Sequence, residues 1–414
     1  MSLIGTLTTG VSGVLSNSRA LNIIGDNIAN VNTTGFKSSK AVFGDQFSVS
    51  LSGGTLTSQV GKGTQLLGSL QSFQQGAFEN STSALDLAID GNGFFIVNDG
   101  TGNFFTRAGQ FRVNENGLVQ TITGEILQGF QITNNVVGTT LTDVSLSNIQ
   151  SQPQATTEFT LGAQLDASAP DLTLFNSPIQ IFNSVGSQDI LTIQFTRDVA
   201  NNEWDFDITS SILGGASVNT GTLQFGQSGQ LIGVNGVGAL TDLTITIDYT
   251  GANPPALSQD VVWNLVEGSP VVTNGSMTSF DTSSSNNSVI QDGFGSGILI
   301  GVAVDFDGTV AGLFDNGQSQ PLFQLGLANF LSPTGLVRLG NNLFAESRLS
   351  GQPVISLAET GSLGSVLGNT LELSNVDLAE EFVNLIKTQQ AFVASARIIS
   401  TTDELLTETV NLTR

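Results

Sequence analysis

A mixed, mainly β fold with an α-helix at each end is what this sequence predicts. The first observation is at the N-terminus, where Leu7, Val14, Leu21 and Ile28 fall seven residues apart, with Leu3, Ile24 and Val31 on the adjoining row. The second is at the C-terminus, where Leu371, Leu378, Leu385, Phe392, Ile399 and Leu406 keep that spacing beside Phe382, Ala396 and Val410. The third is the long stretch between, in which alternating apolar and polar residues are punctuated by Gly-bearing turns. A row of apolar residues at every seventh position makes a stripe that must be buried against another helix. Two such stripes at opposite ends of one chain predict termini that pair as a coiled-coil-like core, both with each other and with neighbouring copies. That is the layout of a protein built to polymerise.

Taken in order, residues 1–31 form one amphipathic helix with Ser2 as N-cap, ending near Val31 because Asn32-Thr33-Thr34-Gly35 is a turn cluster. Residues 32–75 are polar and Gly-rich with scattered Phe36, Phe43, Phe47 and Phe73, and predict an extended connector with some strand. Residues 76–149 carry β signals, among them Val113-Asn114-Glu115-Asn116-Gly117-Leu118-Val119, whose Asn-Gly supplies the positive φ angles of a hairpin. Composition shifts at Ser151-Gln152-Pro153-Gln154, so 150–287 reads as an inserted β-domain. Within it, Leu191 to Thr196 and Leu243 to Tyr249 put apolar side chains on one face. Asp281 to Asn287 predicts a return linker, and 288–369 resumes short strands with turns at Asp307-Gly308 and Asn316-Gly317. The last helix belongs to 370–414: Ser374 with Asp377 three residues on forms a capping box, and neither Gly nor Pro interrupts the run to Val410.

Composition narrows the function classes. Charged residues make up only 11% of the chain, yet 35 Asp plus Glu stand against 12 Lys plus Arg, a net charge of −23. Such a surface repels nucleic acid and anionic lipid. There is no Cys and no His, so disulfides, thiolate chemistry, the commonest zinc ligands and the commonest general base are all missing. The first 30 residues hold one cation, Arg19, and are broken by Gly5, Gly10, Gly13 and Gly25, which is not a cleavable secretory signal. No run of 18 apolar residues is present to span a bilayer.

An enzyme without His or Cys would rely on paired carboxylates or a Ser-Lys pair. Pairs such as Asp205 with Asp207 or Glu380 with Glu381 carry no weight in an acidic chain, and none of Lys37, Lys40, Lys62 or Lys387 sits in Ser-x-x-Lys. No nucleophile elbow or phosphate loop occurs. Asp305-Phe306-Asp307-Gly308 begins like a calcium loop, but the sixth position is Val310 and the twelfth is Asn316, so a hairpin turn is the better reading. No catalytic, cofactor or metal residue is therefore assigned. A secreted β-rich adhesin using the middle domain is the rival class, though it has no need of heptads at both termini.

Several stretches resemble the rod and hook axial proteins of the bacterial flagellum. They are Ile28-Ala29-Asn30-Val31-Asn32-Thr33-Thr34-Gly35-Phe36-Lys37, Ile89-Asp90-Gly91-Asn92-Gly93-Phe94-Phe95 with Thr106 to Phe111, and Ser374-Asn375-Val376-Asp377-Leu378 onward. Asn316-Gly317-Gln318, Leu327 to Phe330 and Gly340 to Phe344 resemble the return half of hook proteins. The likeness covers about 1–150 and 288–414. It implies a hook subunit that assembles into a flexible hollow tube, with terminal helices in the inner core, an inner β-domain of 76–149 and 288–369, and the inserted β-domain stacked outward. It also implies a bendable coupling that passes motor torque to the filament. Export through the flagellar apparatus without a cleaved signal, an extracellular location, and rod, hook-cap and hook–filament junction proteins as partners follow from it too. The distal rod protein is the alternative, disfavoured by the large middle insertion.

Energetics adds one expectation. Ordering a residue costs about 1–2 kcal/mol, while burying a Leu or Phe contributes about 1.5–3 kcal/mol, and each helix glycine weakens α-structure by about 1 kcal/mol. Both ends are expected to be largely disordered in the free subunit and to fold when neighbours cover them. The helix glycines either permit close packing or mark frayed turns. Asn17, Asn22, Asn27 and Asn30 either bond between subunits or face a wet channel.

Overall fold

The computed structural model describes residues 3–46, 49–50, 59–236, 240–268 and 272–412. The chain divides into two compact units, one of residues 1–148, 301–312 and 320–414, the other of 149–300 and 313–319.

In the first unit, helix α1 (Leu3–Ala29) and helix α2 (Leu378–Leu412) pack together. They run antiparallel: Gly10 of α1 lies against Ser395 and Ile399 of α2, and Asn27 against Glu381. Asn30 still bonds back to Asp26 (3.2 Å), after which the Asn32 to Gly35 turn ends the helix. The predicted N-cap Ser2 lies outside the described residues. At the other helix the start is later than the sequence suggests. Asp377 is the N-cap, its Oδ1 accepting from the backbone N–H of Ala379 (2.8 Å) and Glu380 (3.2 Å). Ser374 and Leu371 precede it. Leu371 sits in a strand (Thr370–Glu372) paired antiparallel with Phe78–Asn80, opposite Glu79. Its place in the heptad row is coincidental, because its backbone is held in sheet pairing.

The stretch expected to be an extended connector is instead a hairpin. Strand Ser39–Asp45 pairs antiparallel with Thr64–Gln71, and both strands pack on α1. Ser12 Oγ accepts from the Thr64 N–H (3.2 Å), while Ser16 Oγ donates to the Thr64 carbonyl (3.3 Å). Phe47 falls outside the described residues.

The β part of this unit is built around strand Phe94–Asn98, which is buried on both faces. Phe95 and Val97 join one core with Leu87, Ile89, Leu127, Leu325 and Leu327. Phe94 and Ile96 join another with Phe105, Phe330 and Phe344. Leu327 and Ala328, from far along the chain, pair directly with Phe95 and Phe94, so the domain is discontinuous in sequence. The Asn114 to Gly117 turn joins strands Phe111–Val113 and Val119–Thr121, with Gly117 at φ +77°. Asp305 to Thr309 is likewise a turn, its Asp307 bonded to the Thr309 N–H (2.9 Å).

The second unit has two five-stranded sheets. One carries Glu158–Asp166, Leu243–Ile247, Gln259–Trp263, Met277–Phe280 and Ser285–Gln291. The other runs in chain order from Leu174–Phe182 to Leu231–Val234. Buried residues of both sheets, including Leu161, Ile193, Phe206, Ile245 and Trp263, share one core. The expected linker from Asp281 is partly strand: Ser285 and Asn286 pair with Gln164 and Ala163. Asp189, fully buried, accepts from Ser210 Oγ (2.6 Å), Tyr249 OH (2.7 Å), Ser211 Oγ (3.1 Å) and the Ile212 N–H (3.1 Å). Burial, then the Asp189 bond, raises the Tyr249 hydroxyl pKa above its ordinary value.

Candidate assembly surface

The seam between α1 and α2 is lined on α1 by Gly10, Gly13, Ser16, Ala20, Ile24 and Asn27, all buried. Spacings of three and four place them on one helix face. Two of the four helix glycines are there for close approach. A Cβ at Gly10 would lie 3.0 Å from Ile399 Cγ1 and 3.3 Å from the Ser395 carbonyl oxygen; one at Gly13 would lie 2.7 Å from Ser395 Oγ. Gly5 and Gly25 have nothing within 4 Å, so no contact within the chain calls for glycine at those positions.

The heptad residues sit on the flanks of this seam. Leu7, Val14, Leu21 and Ile28 are half-buried and only Ile24 is fully covered; the Leu3 side chain lies outside the described residues. On α2, Leu385, Phe392, Ala396, Ile399 and Leu406 are half-buried towards α1, with Glu381 and Thr402 buried at the ends of the row. Leu378, Phe382 and Val410 face away. Phe382 is 51% exposed, Ile386 56% and Leu405 57%, and α1 leaves Ile4, Val11 and Leu15 uncovered as well. Each of Phe382, Ile386 and Leu405 on α2, and of Ile4, Val11 and Leu15 on α1, is thus an apolar side chain left exposed.

Below the helices, a polar joint fixes them to the β structure of the same unit. Asn27 is fully buried. Its Nδ2 donates to Ser39 O (2.8 Å) and to Glu381 Oε1 (3.0 Å), and its Oδ1 accepts from the Ser39 N–H (2.9 Å). Desolvation is the main cause raising the Glu381 carboxyl pKa, with Glu380 adding to it and the Asn27 bond opposing it. Asn30 bonds back to Asp26 O (2.8 Å) and accepts from Thr33 Oγ (3.2 Å), so both asparagines are engaged within the chain.

Next comes a buried charge cluster. Lys37 Nζ donates to Glu372 Oε1 (2.6 Å) and Gln74 O (2.8 Å). Arg107 reaches Glu372 Oε2 (3.5 Å) and donates to Gly91 O (2.7 Å), while its guanidinium lies 5.3 Å from the Phe94 ring centroid. Burial lowers the pKa of both cations, and Glu372 opposes that shift in each. The Glu372 carbonyl accepts from the Gly35 N–H (2.8 Å). Gly35 is at φ +68°, and a Cβ there would lie 2.6 Å from the backbone of Arg107 and Ala108, so only glycine fits.

The family-motif residues divide between this joint and the surface. Phe36 is buried beneath Arg338, which also pairs with Asp26 at 3.6 Å. Thr33 Oγ donates to Asn30 Oδ1 (3.2 Å), and Ala29 and Asn32 are exposed. Asp90 is exposed at a strand end, followed by Gly91 and Gly93 at φ +107° and +131°. Asn375 Oδ1 accepts from the Ser38 N–H (2.8 Å), and its Nδ2 donates to Ser72 O (2.9 Å) and Gln74 O (3.0 Å). The sequence assigns no site role to Arg107, Glu372 or Glu381. The available signal was a cation inside a Gly- and Phe-flanked segment of a chain with few cations, true of both Lys37 and Arg107.

Four family models match the chain in succession. They are the flagella basal body rod protein (residues 7–37), the flagellar hook protein FlgE/F/G D1 domain (88–164), the flagellar basal body protein FlaE D2 domain (148–294) and the flagellar basal body rod FlgEFG protein C-terminal model (368–412). The flagellar hook protein FlgE of Borreliella burgdorferi is 33% identical over 98% of this chain and 99% of its own. That of Escherichia coli K12 is 31% identical over 97% and 98%. The chain belongs to the flagellar hook protein family. It is a structural hook subunit, of a family whose members form a polymer of identical copies. Lys37, Arg107 and Glu372 fall in three different matched segments, so the buried cluster is where the rod-type, D1 and C-terminal parts of this hook subunit meet.

Proposed function

We propose that copies of this chain stack through their paired terminal helices into a hollow, bendable tube that carries motor torque to the filament. One observation carries the reading: α2 runs for 35 residues and keeps Phe382, Ile386 and Leu405 more than half exposed. An apolar side chain left half in water forgoes about 1 kcal/mol, and repeating that along both helices gives a face that a sister molecule stabilises by covering. The residues assigned to that contact are Leu7, Val14, Leu21 and Ile28 on α1, and Leu378, Phe382, Leu385, Phe392, Ala396, Ile399 and Leu406 on α2. Leu3, Ile24 and Leu371 complete the original stripe; Ile24 acts inside the seam, and Leu371 in the sheet.

The helices hold the tube while the polar outer surfaces exchange contacts at small cost during bending. The subunit is exported uncleaved through the flagellar apparatus, with its helix ends loosely ordered until neighbours cover them. It works outside the cell between rod, cap and junction proteins. Negative-stain microscopy of concentrated purified protein tests the reading. Hollow curved tubes are expected; protein that stays dispersed at high concentration would overturn the tube reading.

A further inference from the structure

We propose that Glu372 is the positioning residue of the subunit, the single group that locks the N-terminal arm onto the β structure of its unit and so sets the helix pair in place. Four groups from three chain segments converge on it. Lys37 and the Gly76 N–H (2.9 Å) meet Oε1, Arg107 meets Oε2, and the Gly35 N–H meets the carbonyl. Its side chain and that of Lys37 are fully buried, and that of Arg107 nearly so. Three residues on, Asn375 satisfies Ser38, Ser72 and Gln74 in the same way. The buried polar groups of 35–38 and 72–76 are thus matched by the C-terminal return segment, 372–375. The arm cannot close until that segment is in place.

Charge gives the cluster an asymmetry. Two cations share one carboxylate, and among the described residues Glu372 is the acid paired with either. Removing Lys37 leaves a neutral Arg107–Glu372 pair. Removing the carboxylate leaves two buried cations close enough to oppose each other's charge, the state that is strongly disfavoured in a dry site. A merely space-filling role would make the two removals equivalent.

The test compares Glu372→Gln with Lys37→Met in the full chain. Amide exchange at Gly35 and Gly76 of the free subunit reports closure without reference to the tube reading, on which only the assembly outcome depends. Both tryptophans and the one tyrosine lie in the second unit, at 204, 263 and 249. Unchanged fluorescence therefore certifies that the second unit has folded. Glu372→Gln is expected to speed exchange at both glycines by about a hundredfold or more and to stop assembly; Lys37→Met is expected to change exchange by less than about tenfold and to assemble. Equal effects of the two variants, or full protection in Glu372→Gln, would overturn the assignment. Loss of assembly in the wild type with normal protection would sink the tube reading and leave the lock standing.

Discussion

Gly10→Leu tests the helix seam most directly, with Gly25→Ala as its control. At Gly10 the first added carbon already meets Ile399 Cγ1 at 3.0 Å and a backbone oxygen of α2 at 3.3 Å. A leucine side chain there must displace Ile398 or Ile399 or push the two helices apart. Overpacking of this kind costs about 1–3 kcal/mol, against a gain of about 1 kcal/mol in helix propensity on leaving glycine. The net is up to about 2 kcal/mol of destabilisation, which raises the critical concentration for tube assembly by up to about thirtyfold. At Gly25 nothing lies within 4 Å, so alanine gives the propensity gain alone, about 1 kcal/mol. The critical concentration should then fall about fivefold. Sedimentation of assembled from free protein across a dilution series measures both. The two glycines must move in opposite directions; a fall for Gly10→Leu would refute the close approach.

Three further outcomes follow from the same geometry. Leu378→Asp or Leu385→Asp is expected to abolish tubes seen by microscopy while the Trp fluorescence of the second unit stays unchanged; normal tubes from either would contradict the role of the α2 stripe. Because burial raises the Glu381 pKa in the folded chain, the helix pair gains stability that is complete below the unfolded carboxyl value, about 4.3, and is lost as pH rises through the folded one. Glu381→Gln keeps an acceptor for Asn27 and should remove that slope in amide-exchange stability, leaving the pair more stable at neutral pH. Asp377→Ala removes the two bonds that start α2 and should cost about 1 kcal/mol, read as faster exchange confined to the first turn.

How much of this was legible depended on whether the signal was local. Helix α2 and the strands from Leu191 and Leu243 follow from periodicity, because each buries one face and the sequence repeats at the matching interval. Asp377 is visible as part of a cap, but Leu371 happens to continue the heptad and draws the expected helix start too early; nothing local says that 370–372 pairs with 78–80. The hairpin of 39–71 resembles a connector in sequence because it lacks the alternation that marks a buried face, in keeping with the exposure of Phe43, Leu67 and Leu70 in its strands. The charge cluster was the least legible. Lys37, Arg107 and Glu372 are each unremarkable where they stand in sequence, and only long-range return of the chain brings them within bonding distance.

The glycine question illustrates how structure converts a sequence ambiguity into a division of labour. Heptad reasoning expects the largest apolar residues to face the partner helix, yet α1 turns Gly10, Gly13, Ser16 and Ala20 inward and leaves Val11 and Leu15 outside. A monomeric helix pair gains nothing from that inversion, since exposed leucine forgoes transfer energy and glycine weakens the helix. The inversion becomes favourable only when the outer face is also covered. On the proposed tube reading, small residues let the two helices of one copy lie close, and the large ones are left for contacts between copies. Within α1, Arg19 and Asp26 are the only charged residues, so little desolvation opposes that second contact, although the chain as a whole carries −23.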